Sequence, residues 1–267
     1  MLLKAGMSKE ELAELPSDKK NVNEEYSYTL LGSISPDYLA ILKEAVIGNF
    51  DEFIANPSNI YGQTNAKTQE IFTSRGMSYE NWVKPNIPEG KIQLAGQEMT
   101  IKLWDRNPLE DLFIGSKTTC CTAPGGGNGK ATPLYLANTA INVIELYDAK
   151  GNAIGMSRIF MADVNGKPAL IMDNFELNNT SKKDMTEDLL ALREAYFDYA
   201  KKLAESVTGS EDTPVYFSSN YVDVPTTGLS SSQVSPSLIG ELSQEDIYIN
   251  SGAKKDGSQT INLWFAR

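Results

Sequence analysis

No histidine occurs anywhere in the 267 residues. Its absence removes the Cys-His and Ser-His nucleophile pairs, the histidine general base and the histidine-ligated zinc centre. Any chemistry must then rest on thiol, carboxylate, hydroxyl, amine or backbone groups. Cysteine is scarce as well: the two present, Cys120 and Cys121, are neighbours. Bridging adjacent residues closes a strained ring and cross-links no loop, so a disulfide framework is excluded and two reduced thiols are expected. No apolar run reaches the roughly 18 residues that cross a bilayer. The start, Met1-Leu2-Leu3-Lys4-Ala5-Gly6, lacks the apolar core and cleavage site of a secretion signal, and a cytoplasmic location is expected. Positive charge is in deficit, with 24 Lys plus Arg against 35 Asp plus Glu and a net charge of -11. No basic run is interleaved with aromatics, which argues against nucleic acid and anionic membranes and leaves a small-molecule or protein substrate as the expected partner.

What remains is ordinary globular material, 41% hydrophobic and 22% charged, enough for one large domain or one domain with an appendage. Residues 1–90 read as a mostly helical N-terminal segment. Ser8-Lys9-Glu10-Glu11 is a capping box, and Ser35-Pro36-Asp37 precedes apolar positions at helical spacing from Tyr38 to Ile54, ended by Asn56-Pro57. A further helix is expected over 66–74. Residues 91–267 read as an α+β domain. Ile92–Leu94 and Met99–Trp104 form a hairpin around Ala95-Gly96-Gln97, and 141–147, 153–162 and 168–177 form a three-stranded antiparallel meander separated by Asx- and Gly-rich turns. The run 184–206 carries one apolar stripe and predicts a long helix on one face of that sheet. A strand over 215–219 follows. Residues 226–237, rich in Ser, Thr and Gly, read as a mobile loop, and 247–249 with 260–265 as a closing hairpin.

Three stretches carry chemistry. Thr118-Thr119-Cys120-Cys121-Thr122, read as extended, sends one thiol to the core and its neighbour to a cleft or solvent. Either both are small buried residues, or one is a nucleophilic or acyl-accepting thiol activated by the following backbone amides and by Lys117 or Lys130. The stretch Pro124-Gly125-Gly126-Gly127-Asn128-Gly129-Lys130 suggests an anion cradle. However, Pro124 and Ala131 occupy the positions where a phosphate loop needs Gly and Ser or Thr. A strand-to-helix connection capped by Thr132 with Pro133 in the first turn is the plainer reading. Asp173-Asn174-Phe175-Glu176 ends the third meander strand, with Asn174 and Glu176 on one face and Asp173 and Phe175 on the other. Two carboxylates on opposite faces of one strand cannot flank a scissile glycosidic bond. Asp105–Leu112 reads as a salt-bridged corner, and Asp163-Val164-Asn165-Gly166 as a hairpin turn, since the remaining ligands of a calcium loop are missing.

In order, the meander 141–177, the helix 184–206 and the strand 215–219 resemble the central β-β-β-α-β unit of GCN5-related N-acetyltransferase-like proteins. Trp104-Asp105-Arg106 through Cys120-Cys121, with the later Asp173-Asn174-Phe175-Glu176, is similar to an uncharacterised subgroup carrying a Cys-Cys pair and an Asp-Asn-x-Glu strand. The resemblance implies that the end of the third strand meets acetyl-coenzyme A, that 215–219 splays beside it to admit the cofactor arm, and that Tyr216 and Tyr221 lie near the acceptor. The family's pyrophosphate loop, Gln or Arg followed by a Gly-x-Gly or Gly-x-Ala turn, has no counterpart in 178–183.

Two functions are therefore expected. The first is an acyltransferase-like or thiol-dependent enzyme using Cys120 or Cys121, Asn174, Glu176 and Tyr216, with Glu176 as a base whose pKa an apolar flank raises. The second is a non-catalytic binding or interaction module that has lost coenzyme A.

Overall fold

A computed structural model describes residues 50–107, 110–123, 127–129, 131–218, 223–242, 249, 253 and 256–265. Among these, α1 (Phe50–Ala55), a 3-10 turn (Pro57–Tyr61), α2 (Gly62–Ser74) and α3 (Tyr79–Val83) precede the sheet. The capping box and the expected helix before Phe50 fall outside the described residues. Phe53, Phe72 and Trp82 are fully buried in the same core as the sheet. Buried polar groups fix that docking, because Asn65 Nδ2 donates to the Ala137 carbonyl at 3.0 Å and Trp82 Nε1 to the Thr139 carbonyl at 2.7 Å.

The strands are β1 (Gly90–Leu94), β2 (Gln97–Leu103), β3 (Ile141–Tyr147), β4 (Ala153–Val164), β5 (Lys167–Met172), β6 (Glu176–Leu177), β7 (Val215–Ser218), β8 (Ser230–Val234), β9 (Ser237–Leu238) and β10 (Ile261–Phe265). They form one sheet in the order β1-β2-β3-β4-β5-β7-β10-β8, with β6 and β9 also on β4. Every pairing is antiparallel except β5 with β7. The tight turns follow from residues that tolerate positive φ: Ala95-Gly96 joins β1 to β2 and Asn165-Gly166 joins β4 to β5. The α+β class and the mainly antiparallel sheet agree with the sequence.

β4 organises the sheet because it outlasts its neighbours. On one edge β3 pairs as far as Phe160 and β9 takes over at Ala162; on the other, β6 pairs at Gly155 and Met156 and β5 from Ile159 onward. Short helices fill the β2–β3 connection: α4 (Ile114–Lys117) and α5 (Ala131–Ala137). After β6 come α6 (Asn179–Asp184) and α7 (Leu189–Thr208), the latter ended by Gly209 at φ +72. α7 lays Leu192, Tyr196, Phe197, Ala200 and Leu203 on the sheet, where Phe175 stands 4.3 Å from the Tyr196 ring and 6.4 Å from Phe217.

Four expectations change. The long helix expected over 184–206 is present as α7 but starts later, at Leu189, because a separate short helix capped by Asn178 ends at Asp184. The third meander strand does not run through to Leu177 but breaks at Asp173–Phe175. The expected mobile loop contains β8, whose backbone pairs with β10 and whose residues alternate between half-buried (Ser230, Ser232) and exposed (Ser231, Gln233), so the ladder overrides weak strand propensity. Finally, the partners of β10 are β7 and β8, while 243–248 lie outside the described residues.

Candidate functional site

The break in the third strand is a β-bulge. Ile159 faces Met172, yet Met156 faces Glu176, so one extra residue is accommodated opposite Ser157. Asn174 fills the gap with its own side chain. Its Oδ1 accepts the Arg158 backbone N–H at 2.8 Å, and its carbonyl accepts the Ser157 hydroxyl at 2.6 Å. The bulge therefore turns Asn174 and Glu176 toward each other, with Asn174 Nδ2 donating to Glu176 Oε1 at 2.6 Å.

Directly opposed residues in a sheet project to the same face. Met156 opposes both Glu145 and Glu176, and Arg158 opposes Val143, so these five share the face away from α7. At its centre is Arg158, 2% exposed. Its guanidinium donates to Glu176 Oε1 at 3.2 Å, Asn174 Oδ1 at 3.4 Å and the Tyr135 hydroxyl at 3.3 Å, and stacks 5.6 Å from the Tyr135 ring. Burial opposes the charge there, but Tyr135, Asp173, Cys120 and Glu176 around it outweigh that cost and hold the guanidinium protonated. Burial likewise keeps the Tyr135 phenol protonated, against the pull of Arg158.

Cys120 completes the cluster. Its buried sulfur accepts the Thr122 backbone N–H at 3.4 Å and the Thr122 hydroxyl at 3.2 Å, and the Glu176 carboxylate lies close beside it. Burial pushes that thiol up to about 12, with Arg158 pulling it down and Glu176 adding to the rise. The segment that carries it is not extended. α4 ends in a left-handed Thr119 at φ +58, and Cys120 N–H returns to the Gly115 carbonyl at 2.7 Å. The two thiols still separate, Cys120 buried and Cys121 exposed. Lys117, expected as an activating cation, bears on Glu145 and Asp111 instead, and Lys130 lies outside the described residues. Thr132 sits inside α5 and donates to the Thr122 carbonyl rather than capping the helix.

Three of the five expected site residues, Cys120, Asn174 and Glu176, thus meet. Glu176, its side chain 13% exposed, has a guanidinium and an amide as partners in place of the anticipated apolar flank. Cys121 points outward, where Asn128 Nδ2 donates to its sulfur at 3.4 Å. Tyr216 is in register with Ile171, its ring packs edge-on to Phe265 at 5.8 Å, and no hydrogen bond among the described residues links it to the cluster. Tyr221 is outside the described residues.

Sequence reasoning missed Arg158 and Tyr135, although a lone cation inside the otherwise apolar run 153–162 was a visible signal. It also missed Glu145, 1% exposed on β3, which accepts the Tyr147 hydroxyl and whose Oε1 has no hydrogen-bond partner among the described residues. Burial pushes Glu145 up to about 7, against the Tyr147 hydrogen bond and the charges of Lys117 and Lys102. Asp111 is also raised, by burial and then by Glu145. At the corner 105–112 the ion pair is Lys102 with Asp105, 2.8 Å apart. Arg106 does not join it but caps α5, donating to the Tyr135 and Leu136 carbonyls at 2.6 and 2.9 Å.

Beyond β7 the chain bonds back to β6 through Asp223. Asp223 N–H donates to the Phe175 carbonyl at 2.9 Å and Asp223 Oδ2 accepts the Leu177 N–H at 3.0 Å. At the start of α6, the Asn178 side chain accepts the Ser181 N–H at 2.7 Å.

No protein-family model and no curated protein matches the chain. Among solved structures it is similar to the GCN5-related glucosamine N-acetyltransferase region of a fungal multi-domain GH3 β-N-acetylglucosaminidase, at 14% identity and TM-score 0.32, over 47% of this chain and 14% of that one. It is also similar to an aminoglycoside antibiotic 6'-N-acetyltransferase from Acinetobacter baumannii, at 16% identity and TM-score 0.28, over 40% of this chain and 74% of that one. Likeness at this level assigns neither family nor activity.

Proposed function

We propose that the chain is an acyltransferase-like enzyme in which Cys120 accepts the acyl group and Glu176 is its general base. The observation that carries this reading is the closeness of the Cys120 thiol to the Glu176 carboxylate, which Arg158 and Asn174 orient in turn. That is the nucleophile, base and orienting-group arrangement of covalent catalysis, built without imidazole. The thiol rests protonated, so the proton leaves as the bond forms. Cys120 Sγ attacks the acyl carbonyl, its proton passes to Glu176, the bond to the leaving group breaks, and Glu176 returns that proton to the leaving group. The Thr122 N–H and hydroxyl face the sulfur and favour the charge developing on it.

The full chain incubated with p-nitrophenyl acetate and mapped by peptide mass spectrometry tests the reading. Acetyl on Cys120, absent in Cys120→Ser, supports it; acetyl on Cys121 or on lysines alone sinks it.

A second reading, a binding module without coenzyme A, is favoured by Asp223. It occupies the Phe175 and Leu177 backbone groups beside which the family resemblance would seat the cofactor arm. Acetyl-coenzyme A at saturating concentration leaves the melting temperature unchanged on this reading, and raises it if the arm displaces Asp223. Thiol acylation from another activated donor is compatible with either result.

A further inference from the structure

We propose that Cys120 and Cys121 are an oxidation site for hydroperoxides, closing to a reversible disulfide between adjacent residues that ties up the Cys120 thiol. The sulfurs stand 4.0 Å apart, one buried and one exposed. A solvent oxidant therefore meets Cys121, and the buried Cys120 thiol lies within reach to resolve the product. A disulfide is about 2.05 Å long, so one sulfur must move. Two bonds from Thr122 hold the buried Cys120 sulfur, whereas the side-chain amide of Asn128, at 3.4 Å, touches the exposed Cys121. The rotation therefore belongs to Cys121.

The backbone is already strained where the ring would form. Thr119, β-branched, holds φ +58 immediately before the pair. Gly115 lies so close beneath the loop that a Cβ there would stand 2.4 Å from the Ala123 nitrogen. A loop pinned from below and turned sharply keeps the two sulfurs within 4.0 Å although one is buried and the other exposed.

The chemistry balances with one equivalent of peroxide. The Cys121 sulfur attacks a peroxide oxygen, the S–O bond forms and the O–O bond breaks. The thiol proton leaves with the departing oxygen as water or alcohol. The Cys120 sulfur then attacks the Cys121 sulfur, the S–S bond forms and the S–O bond breaks. The Cys120 proton passes through Glu176 to the leaving hydroxide, which becomes a second water. The strain that rules out a structural bridge between neighbours is what makes this one easily reduced. The disulfide stands without the acyl chemistry, and only its effect on turnover rests on the proposed function.

The test uses the full chain, one equivalent of hydrogen peroxide, intact mass and non-reducing peptide mapping. The expected result is a loss of two hydrogens confined to the peptide holding both cysteines, restored by dithiothreitol. Cys121→Ser, a change at an exposed position, leaves Cys120 unoxidised. Covalent dimers, or oxygen accumulating on Cys121 while Cys120 stays a free thiol, overturn the proposal. Acetylation of Cys120 by p-nitrophenyl acetate should disappear after peroxide and return with reductant. If the disulfide forms but untreated Cys120 never acetylates, the acyl reading fails while the oxidation site stands.

Discussion

On the side of the sheet covered by α7, burial is accomplished with rings: Phe175, Tyr196, Phe197 and Phe217 pack edge to face with centroids 4.3 to 6.4 Å apart. On the other side, across the same strands, burial includes Arg158, Asn174 and Glu145 with Glu176 at the margin. The first face stabilises by area removed from water, which is indifferent to direction. The second stabilises only if each polar atom finds its partner in the right place, because a buried charge left alone is costly. The apolar face thus sets how firmly the fold holds, and the polar face fixes the relative positions of Cys120 and Glu176.

Breaking that polar geometry gives the largest expected effect. Arg158→Met leaves Glu176 and Asn174 short of a partner and should cost about 3–5 kcal/mol in urea unfolding. The double change Arg158→Met with Glu176→Leu should recover much of the loss, and a double mutant as unstable as the single would mean that the pair is not the source. Next, Phe217→Ala on the α7 face should cost about 3–4 kcal/mol through the cavity it leaves. It should nonetheless leave the rate of Cys120 acylation within about twofold, measured where the variant is folded.

Glu145 sharpens the comparison through pH. With its pKa raised to about 7 from the ordinary glutamate range, the folded state keeps a proton that the unfolded chain has lost at intermediate pH. Stability therefore falls as pH climbs from about 4.5 through about 7 and levels off above, and Asp111 contributes with the same sign. Glu145→Gln should flatten that decline by about 1–3 kcal/mol over the interval; an unchanged slope in thermal unfolding across pH would exclude Glu145 as its origin. The smallest effect belongs to Tyr196, whose buried hydroxyl on the apolar face has no hydrogen-bond partner among the described residues. Tyr196→Phe should be neutral or stabilising by up to about 1 kcal/mol.

The apolar face was legible in the sequence because its signals are periodic. The stripe on 189–203 announces a helix and the side it buries, and the apolar runs 141–147 and 153–162 between Asx- and Gly-rich turns announce strands buried on both faces. The Asn165-Gly166 and Ala95-Gly96 turns are legible for a local reason, namely positive φ. The polar face was legible only in part. Cys120, Asn174 and Glu176 stood out as dense chemistry, but what joins them is a bulge, and nothing in a strand pattern reveals where one extra residue enters. Arg158 escaped because its partners lie 16 to 23 residues away in sequence on other elements. The Asp223 contact escaped for the same reason, at a separation of 46.

The central claim is that Glu176 takes the Cys120 proton as the sulfur bonds to an acyl group. Pre-steady-state acylation of Cys120 by p-nitrophenyl acetate at pH 7, compared between the unaltered chain and Glu176→Gln, tests it most directly. The amide keeps the side chain's shape and its bond to Arg158 but cannot accept a proton, so the rate should fall by about 10²-fold or more. Equal rates in the two proteins would contradict the account.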